Sequence, residues 1–352
     1  HELSLAWRDW LAMMTGGRRS RGIVLALALV VFALILHLLA QAVVGHWLAD
    51  GIARDKPTLV LVTGVGFLFW TVMLSQALES VTRAYYARSD LDLILSSPAS
   101  PRRLFAVRTG AIAVTTIALA CLLASPVVDV LAVNGGPQWL MAYGVLAAMG
   151  AWAAALSLLV TVGLFRLLGP KRTRLVAQIV AGVVGAGFVI GIQIAAIVGF
   201  GSMSRFSVLQ SEELVAAAPD TASWLWLPAK AAMGDAAALA IVMLSGFGAL
   251  TAVVAGSASG FAMRAIATAG LAQAPVRQRA GGIGFHPGSQ KQALRRKEWR
   301  LLARDPWLIS QTLMQVLYLL PPAVMLWLHY GQSAGVFVVV VPVIVMAAGQ
   351  LA

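Results

Sequence analysis

The chain contains 352 residues, of which 60% are hydrophobic and 11% are charged, and its formal net charge is +12. About a quarter of the residues of soluble domains are charged, so this composition excludes an ordinary water-soluble protein and indicates a membrane protein. A single cysteine, Cys121, excludes an internal disulfide and a zinc site built from cysteines.

The basic residues are unevenly distributed along the chain. Twenty-two of the 26 Lys and Arg residues lie in four segments, 1–21, 79–108, 166–174 and 260–306, which pairs of hydrophobic stretches separate. All four segments can therefore lie on one side of a membrane, and an excess of Lys and Arg marks the cytoplasmic side. The pattern predicts a cytoplasmic N-terminus and a basic face that meets anionic lipid instead of nucleic acid.

The N-terminal segment, 1–21, has the pattern of an amphipathic helix. Its apolar residues recur at helical spacing on one face. These residues are Leu3, Trp7, Trp10, Leu11 and Met14. Because such a helix lies in the membrane interface and does not cross the bilayer, we predict an interfacial helix that leads into the first membrane span.

Eight apolar stretches are long enough to span a membrane, which takes about 20 residues. They are 22–48, 58–78, 104–128, 139–165, 175–200, 236–259, 307–329 and 335–352. The predicted fold class is all-α: a polytopic helical membrane protein with a six-span transmembrane domain at 22–259. A cytoplasmic linker and a second interfacial helix follow at 260–306. The last two spans, 307–352, are expected to begin a second half that is truncated here.

Two predicted spans contain polar side chains that the bilayer disfavours. His37 lies in the middle of the first span with Gln41 one turn further on, and Gln193 lies in the fifth. An ionisable residue inside a span is a candidate functional site. However, Asp129 falls at the outer end of the third span, and no carboxylate is expected at the depth of His37. We therefore favour packing or an interhelical hydrogen bond for His37 and Gln193 over a proton relay.

A short cytoplasmic helix is predicted at 89–98, between the second and third spans. Asp90 is one residue that can cap its start, and Pro98 ends it. Its apolar residues are Leu91, Leu93, Ile94 and Leu95. An apolar surface outside the bilayer needs a cover, which is either a docked partner protein or the underside of this protein itself.

The longest outer segment, 201–235, has a mixed composition. It contains the acidic residues Glu212, Glu213 and Asp220, and then Trp224 and Trp226. One interpretation is an interfacial or re-entrant piece of chain, since tryptophan favours the membrane surface. The other is a plain extracellular loop with two belt tryptophans. In the first interpretation Trp224 and Trp226 are candidate residues of an outer gate.

The basic loop at 260–306 divides into two parts. Residues 273–290 are rich in Gly, Pro and Gln and are typical of a flexible linker, whereas 291–304 is basic and compatible with a helix. Around Trp299 the sequence is similar to that around Trp7, because in both places mixed charge and a tryptophan precede a long apolar stretch. We interpret this as a weak internal repeat.

The stretch from Asp90 to Ser100, Asp-Leu-Asp-Leu-Ile-Leu-Ser-Ser-Pro-Ala-Ser, resembles the coupling-helix region of permease subunits in the type-2 export superfamily of ABC transporters. Those permeases also have a connecting helix before the first span and a longer outer element between the fifth and sixth. This chain is similar to them at 3–14 and 201–235. Residues 297–307 resemble the connecting helix that opens a second permease half.

The resemblance implies a membrane-spanning subunit of an ATP-driven exporter with two fused permease halves, in the bacterial inner membrane. It also implies that a separate ABC ATPase, in two copies, docks on the coupling helix. The implied ATPase-contacting residues are Asp90, Leu91, Asp92, Leu95, Pro98, Arg102 and Arg103. Arg102 and Arg103 equally suit anchors at the membrane flank. The connecting helices would contain Trp7 and Trp10 in the first half and Trp299 in the second.

The sequence contains no Walker motif, G-x-x-x-x-G-K-[ST]. We therefore expect no catalytic site and no cofactor in this chain, with Mg-ATP bound by the partner ATPase. No feature of the sequence names the exported substrate.

Two alternative functions compete with the exporter. An ion-coupled secondary transporter needs acidic residues inside its spans. A polytopic lipid-modifying enzyme needs acid, base or metal-binding residues that converge at one interface, and Glu212, Glu213 and Asp220 are the candidates for that role.

Overall fold

A computed structural model describes residues 19–49, 54–86, 101–200, 206–209 and 211–258, together with 289, 291–292 and 294–297. These residues are overwhelmingly helical and include no strand. Four helical stretches within them are long and apolar enough to cross a membrane. They are Lys56–Ala84, Arg102–Gly135, Pro137–Gly169 and Ala236–Ser257. The prediction of an all-α, polytopic membrane protein is confirmed.

Five long helices form the described part of the bundle. They are α1 (Arg19–Ala49), α2 (Lys56–Tyr86), α3 (Pro101–Gly135), α4 (Met141–Phe200) and α8 (Ala236–Ala258). Between α4 and α8 lie three short helices, α5 (Phe206–Leu209), α6 (Glu212–Ala217) and α7 (Leu227–Ala232). Single 3-10 turns occur at Pro137–Leu140 and Trp224–Trp226.

Helix α4 consists of two arms, 141–168 and 170–200, because the chain turns at Gly169. This residue has φ 70° and ψ 171°, a conformation that is open to glycine and strained for other residues. Ala153 of the first arm and Val184 of the second pack into one apolar cluster on α2, so the chain reverses direction at the turn. The two arms match the predicted fourth and fifth spans, and the basic segment 166–174 forms the connection.

The bundle has two distinct ends. At one end α2 begins, and a cluster that includes Leu59, Trp139 and Trp226 holds the short helices against it. We call this the capped end. At the other end α2 stops, α3 starts and α4 turns, around a cluster that includes Val81 and Phe105. Exposed arginines surround this second cluster, which we call the basic end: Arg83, Arg102, Arg103 and Arg166.

Helix α2 occupies the centre of the bundle, where it packs against α3 and both arms of α4. Small residues allow this close packing, since Ala77 of α2 and Ala153 of α4 are fully buried. The Ser75 hydroxyl also donates a hydrogen bond of 2.7 Å to the carbonyl oxygen of Ala181 in the second arm. A polar side chain of α2 thus fixes the second arm of α4 in an otherwise apolar contact.

The predicted basic helix at 291–304 is described over 291–292 and 294–297, and these residues are helical. Ser289 caps its start. The Gln292 amide N–H donates to the Ser289 hydroxyl at 3.3 Å, and the Ser289 amide N–H donates to the Gln292 side-chain oxygen at 3.4 Å. This reciprocal capping box fixes where the helix begins, just after the Gly- and Pro-rich linker.

Candidate functional site

Most of the residues predicted to dock an ATPase lie outside the described residues. They are Asp90, Leu91, Asp92, Leu95 and Pro98. The tryptophans of the two predicted connecting helices, Trp7, Trp10 and Trp299, also lie outside them, so their roles stay predictions.

Arg102 and Arg103 are described, and both are exposed in the first turn of α3. The end of α2 and the start of α3 both belong to the basic end, so residues 87–100 connect two helix ends on the same side of the bundle. Phe105, two residues further along α3, is buried against Val81 of α2. The two arginines therefore stand directly beside a well-packed corner between α2 and α3.

Arg108 strengthens that corner from the inside. Its side chain is buried, although the sequence pattern grouped it with the basic flank. One guanidinium nitrogen donates a hydrogen bond of 3.2 Å to the carbonyl oxygen of Ala84, one of the last four carbonyls of α2, which have no acceptor role within the helix. Arg108 thus links the end of α2 to α3 beside the predicted coupling segment.

The two tryptophans of the predicted outer gate have different environments. Trp226 is only 5% exposed, and its indole N–H donates a hydrogen bond of 2.9 Å to the carbonyl oxygen of Asp220. Trp224 is 75% exposed. Trp226 is therefore a core residue of the capped end, whereas Trp224 is available for contacts outside the protein. The structure does not bring the two side chains together as a pair.

Two basic side chains hold the short helices onto the start of α2. Arg54 donates a hydrogen bond of 2.7 Å to the carbonyl oxygen of Met233, and Lys56 donates one of 3.2 Å to that of Ala216. Between them, Asp55 caps α2 by accepting a hydrogen bond of 3.0 Å from the amide of Thr58. A hydrogen bond from the Thr58 side chain, and to a smaller extent the one from its amide, stabilise the charged carboxylate and lower the pKa of Asp55.

The acidic residues of the outer segment are exposed at helix and turn positions. Glu212 and Glu213 are exposed in the first turn of α6, where the helix dipole favours negative charge. Asp220 is exposed in the turn that precedes Trp224. Local helix and turn structure explains where these three side chains lie.

A polar cluster that the sequence did not reveal joins three long helices. The Asp129 carboxylate of α3 lies between His37 of α1 and Tyr143 of α4. The Tyr143 hydroxyl donates a hydrogen bond of 2.6 Å to Asp129 Oδ1, and His37 Nε2 lies 3.4 Å from Asp129 Oδ2. The side chains of His37 and Asp129 are 35% and 42% exposed. We call these three residues the His–Asp–Tyr cluster.

The expectation that no carboxylate lies at the depth of His37 is wrong. His37 is twelve residues before the end of α1, and Asp129 is six residues before the end of α3. Because His37 and Asp129 lie side by side, the ends of the two helices differ in height by six residues, or about 9 Å at 1.5 Å per residue. Sequence places residues within a helix but gives no such offset between helices, so the pairing could not be predicted.

Local structure explains how α3 presents Asp129. Pro126 lies inside the helix and has no N–H to donate to the carbonyl oxygen of Leu122. The Ser125 hydroxyl donates to that oxygen instead, at 3.0 Å, and this replacement fits the way proline is tolerated in membrane helices. The helix therefore continues through Pro126 and carries Asp129 into the bundle, one turn later.

The α3–α4 connection brings the third member of the cluster into place. Gly136, with φ 105°, and the 3-10 turn after it let α4 fold back directly on α3. Tyr143 is then opposite Asp129. Nearby, Asn134 donates a hydrogen bond of 2.9 Å to the side-chain oxygen of Gln41, so a second polar bridge connects α1 and α3.

The side chains of the His–Asp–Tyr cluster can bind protons and form hydrogen bonds. It contains one carboxylate, one imidazole and one phenol. Among the described residues, no group of three or more His, Cys, Asp or Glu side chains is placed to hold a metal ion. Gln193, the other polar residue predicted within a span, is buried in the second arm of α4.

Comparisons of this chain with protein-family models, with curated proteins and with solved structures find no match.

Proposed function

We propose that this chain is the membrane-spanning permease subunit of an ATP-driven ABC exporter. It would form the translocation pathway and receive motion from a separate ATPase through a coupling helix at 89–98. One observation carries the proposal: the leucine-rich motif from Asp90 to Ser100 belongs to the segment that connects the ends of α2 and α3 at the basic end. A motor that docks there acts directly on the central helix of the bundle.

The contacts of α2 support a role in transmitting motion from the coupling segment to the capped end. Its 31 residues make a rod of about 46 Å. Arg108 fastens its last turn to α3, and Arg54 and Lys56 fasten the short helices to its first turn. A displacement of the coupling segment would therefore move α2 and the capped end together.

The distribution of charge supports the orientation that this function requires. Arg83, Arg102, Arg103 and Arg166 are exposed at the basic end, whereas at the capped end exposed acidic residues such as Glu212 and Glu213 outnumber the exposed Arg54. By the positive-inside rule, the basic end and the N-terminus would face the cytoplasm of a bacterial inner membrane. Two ATPase copies would then bind there with Mg-ATP, and an unidentified substrate would leave past the capped end.

Replacement of Leu91 and Leu95 by Asp tests the proposal. Both changes place charge on the apolar surface of the predicted coupling helix, so we expect an ABC ATPase to be lost from the complex captured with the tagged full chain. The matched control is the double change of Leu214 and Leu225 to Asp, since these leucines are exposed at the opposite end. An ATPase retained by the Leu91/Leu95 variant would contradict docking at this helix.

A second candidate function is an ion-coupled secondary transporter. Asp129 lies within a stretch long enough to cross the membrane and faces His37, which supplies the acidic residue that such a transporter needs. The two candidate functions differ in their energy source, so transport measurements can distinguish them. Transport that continues after ATP depletion and stops when the proton gradient collapses would favour the second candidate, and the reverse result would favour the exporter.

A further inference from the structure

Both ring nitrogens of His37 face oxygen atoms. Nδ1 lies 2.8 Å from the carbonyl oxygen of Ala33, one turn earlier in α1. A carbonyl oxygen only accepts hydrogen bonds, so at this distance Nδ1 carries a proton and donates it. A neutral imidazole has a single N–H, and its Nε2 would then have a lone pair and act only as an acceptor.

That lone pair would face a carboxylate. Nε2 is 3.4 Å from Asp129 Oδ2, and an ionised carboxylate is also only an acceptor. Two acceptors with no proton between them repel each other. The arrangement is stable with one further proton, which gives either an imidazolium beside a carboxylate or a neutral imidazole beside a carboxylic acid. Both forms are neutral overall, whereas loss of the proton leaves one negative charge.

We propose that His37 and Asp129 bind one proton between Nε2 and Oδ2, and that this proton fastens α1 to α3. This proton site is inferred from the geometry of the pair alone, so it is the same whether ATP or an ion gradient drives the protein. Its ligand is a proton, exchanged with the solution on the side of the capped end.

The groups around the pair are consistent with a single exchangeable proton. Helix α1 packs on α3, and the titratable group that faces His37 from α3 is Asp129. Tyr143 of α4 contacts Asp129, and Cys121 of α3 lies near Tyr143. Tyr143 donates its proton to Oδ1, so it holds the carboxylate in place without competing for Oδ2. The neighbouring Gln41–Asn134 bridge is neutral.

Two polar bridges, His37–Asp129 and Gln41–Asn134, help to hold helix α1 in position on α3. Among the α1 side chains that the structure describes, most apolar ones are exposed, including Leu27, Phe32 and Leu38, whereas Ala40 is buried. Apolar side chains have no hydrophobic preference for protein over lipid inside a bilayer, so the His37–Asp129 and Gln41–Asn134 bridges add directional contacts that orient α1 on α3. Loss of the proton would place a charged carboxylate against a lone pair and loosen one of the two bridges.

The first measurement locates the proton in the full chain, purified into lipid nanodiscs. Imidazole-nitrogen NMR, with His37→Gln to assign the signal, reports a proton on Nε2. Infrared difference spectra, with Asp129→Asn to assign the band, report a protonated carboxyl group. We expect one of the two signals in the wild type at neutral pH. A singly protonated His37 beside an ionised Asp129 would overturn the proposal.

The second measurement tests what the proton does. Spin labels at the exposed positions Leu34 of α1 and Val127 of α3, in a Cys121→Ser background, report the separation of the two helices. Raising the pH until the shared proton leaves should broaden the distance distribution in the wild-type cluster. In Asp129→Asn the side-chain amide can donate to Nε2 and accept from Tyr143, so the distribution should not change with pH.

The control for the second measurement is Gln41→Ala, which removes the neutral bridge. This variant should broaden the distribution at every pH and keep the pH dependence. A wild-type distribution that stays unchanged after the proton has left, or a pH dependence that persists in Asp129→Asn, would contradict the fastening role.

Discussion

At the scale of single residues, two polar side chains of the bundle satisfy backbone carbonyls that its helices leave unpaired. Arg108 donates to the carbonyl oxygen of Ala84 at the end of α2, and Ser125 donates to that of Leu122 beside Pro126. Unsatisfied backbone groups cost several kcal/mol in a bilayer. Such side chains therefore fix where helices can end or bend, and they place neighbouring residues such as Asp129.

Replacement of Arg108 by Met should destabilise the protein by about 2 kcal/mol, the typical value for a hydrogen bond from a charged group. Met fills much of the same volume but leaves the Ala84 carbonyl without this donor. Thermal unfolding in detergent measures the loss. Arg103→Met is the matched control and should have little effect, because Arg103 is exposed in the same helix. Equal stability of the two variants would contradict a structural role for Arg108.

The cap that Asp55 provides to α2 should make a pH-dependent contribution to stability. Because the pKa of Asp55 is lowered on folding, its contribution is present above the ordinary carboxyl pKa of 3.8 and is lost as the pH falls through the folded value. Asp55→Ala should cost about 1 kcal/mol at neutral pH, and this difference should shrink in acid. Asp55→Asn, which keeps a cap without a titrating group, should show no such pH dependence.

At the scale of elements, apolar run length and turn residues predicted the long helices within the described residues, whereas the predicted spans at 307–329 and 335–352 lie outside them. The connection at 166–174 is the turn at Gly169, and α8 occupies the predicted sixth span almost residue for residue. The His–Asp–Tyr cluster was missed because apolar run length ended the third span at 128, whereas α3 continues to Gly135. The relative offset of two packed helices depends on tertiary contacts, and no pattern within either sequence records it.

The contact between α8 and α4 depends on one glycine. A Cβ atom at Gly246 would lie 2.6 Å from the carbonyl oxygen of Ala148, so Gly246→Ala must push the two helices apart. We expect a destabilisation of about 1–3 kcal/mol, typical of overpacking. Gly248→Ala, on the same helix, places its Cβ in open space and should be neutral or stabilising by up to about 1 kcal/mol. Denaturation of both variants checks the difference.

At the scale of the whole molecule, large apolar side chains cover the outside of the bundle. Leu27 of α1, Leu122 of α3 and Leu244 of α8 are all more than half exposed, as expected where lipid is the solvent. The 35 residues of α3 extend for about 52 Å, well beyond the hydrocarbon thickness of about 30 Å. The two ends of the bundle therefore project into, or beyond, the interfacial regions and are accessible to partners and reagents.

This exposure makes the orientation of the two ends directly measurable. In a Cys121→Ser background, a cysteine at Trp224 marks the capped end, and a cysteine at Arg103 marks the basic end, since both positions are exposed. A membrane-impermeant thiol reagent, added to intact cells from which any outer membrane has been permeabilised, should label the Trp224 position only. After the inner membrane is opened, the Arg103 position should be labelled as well. The reverse order would place the basic end outside, which would contradict the positive-inside assignment and remove the surface on which a cytoplasmic ATPase could dock.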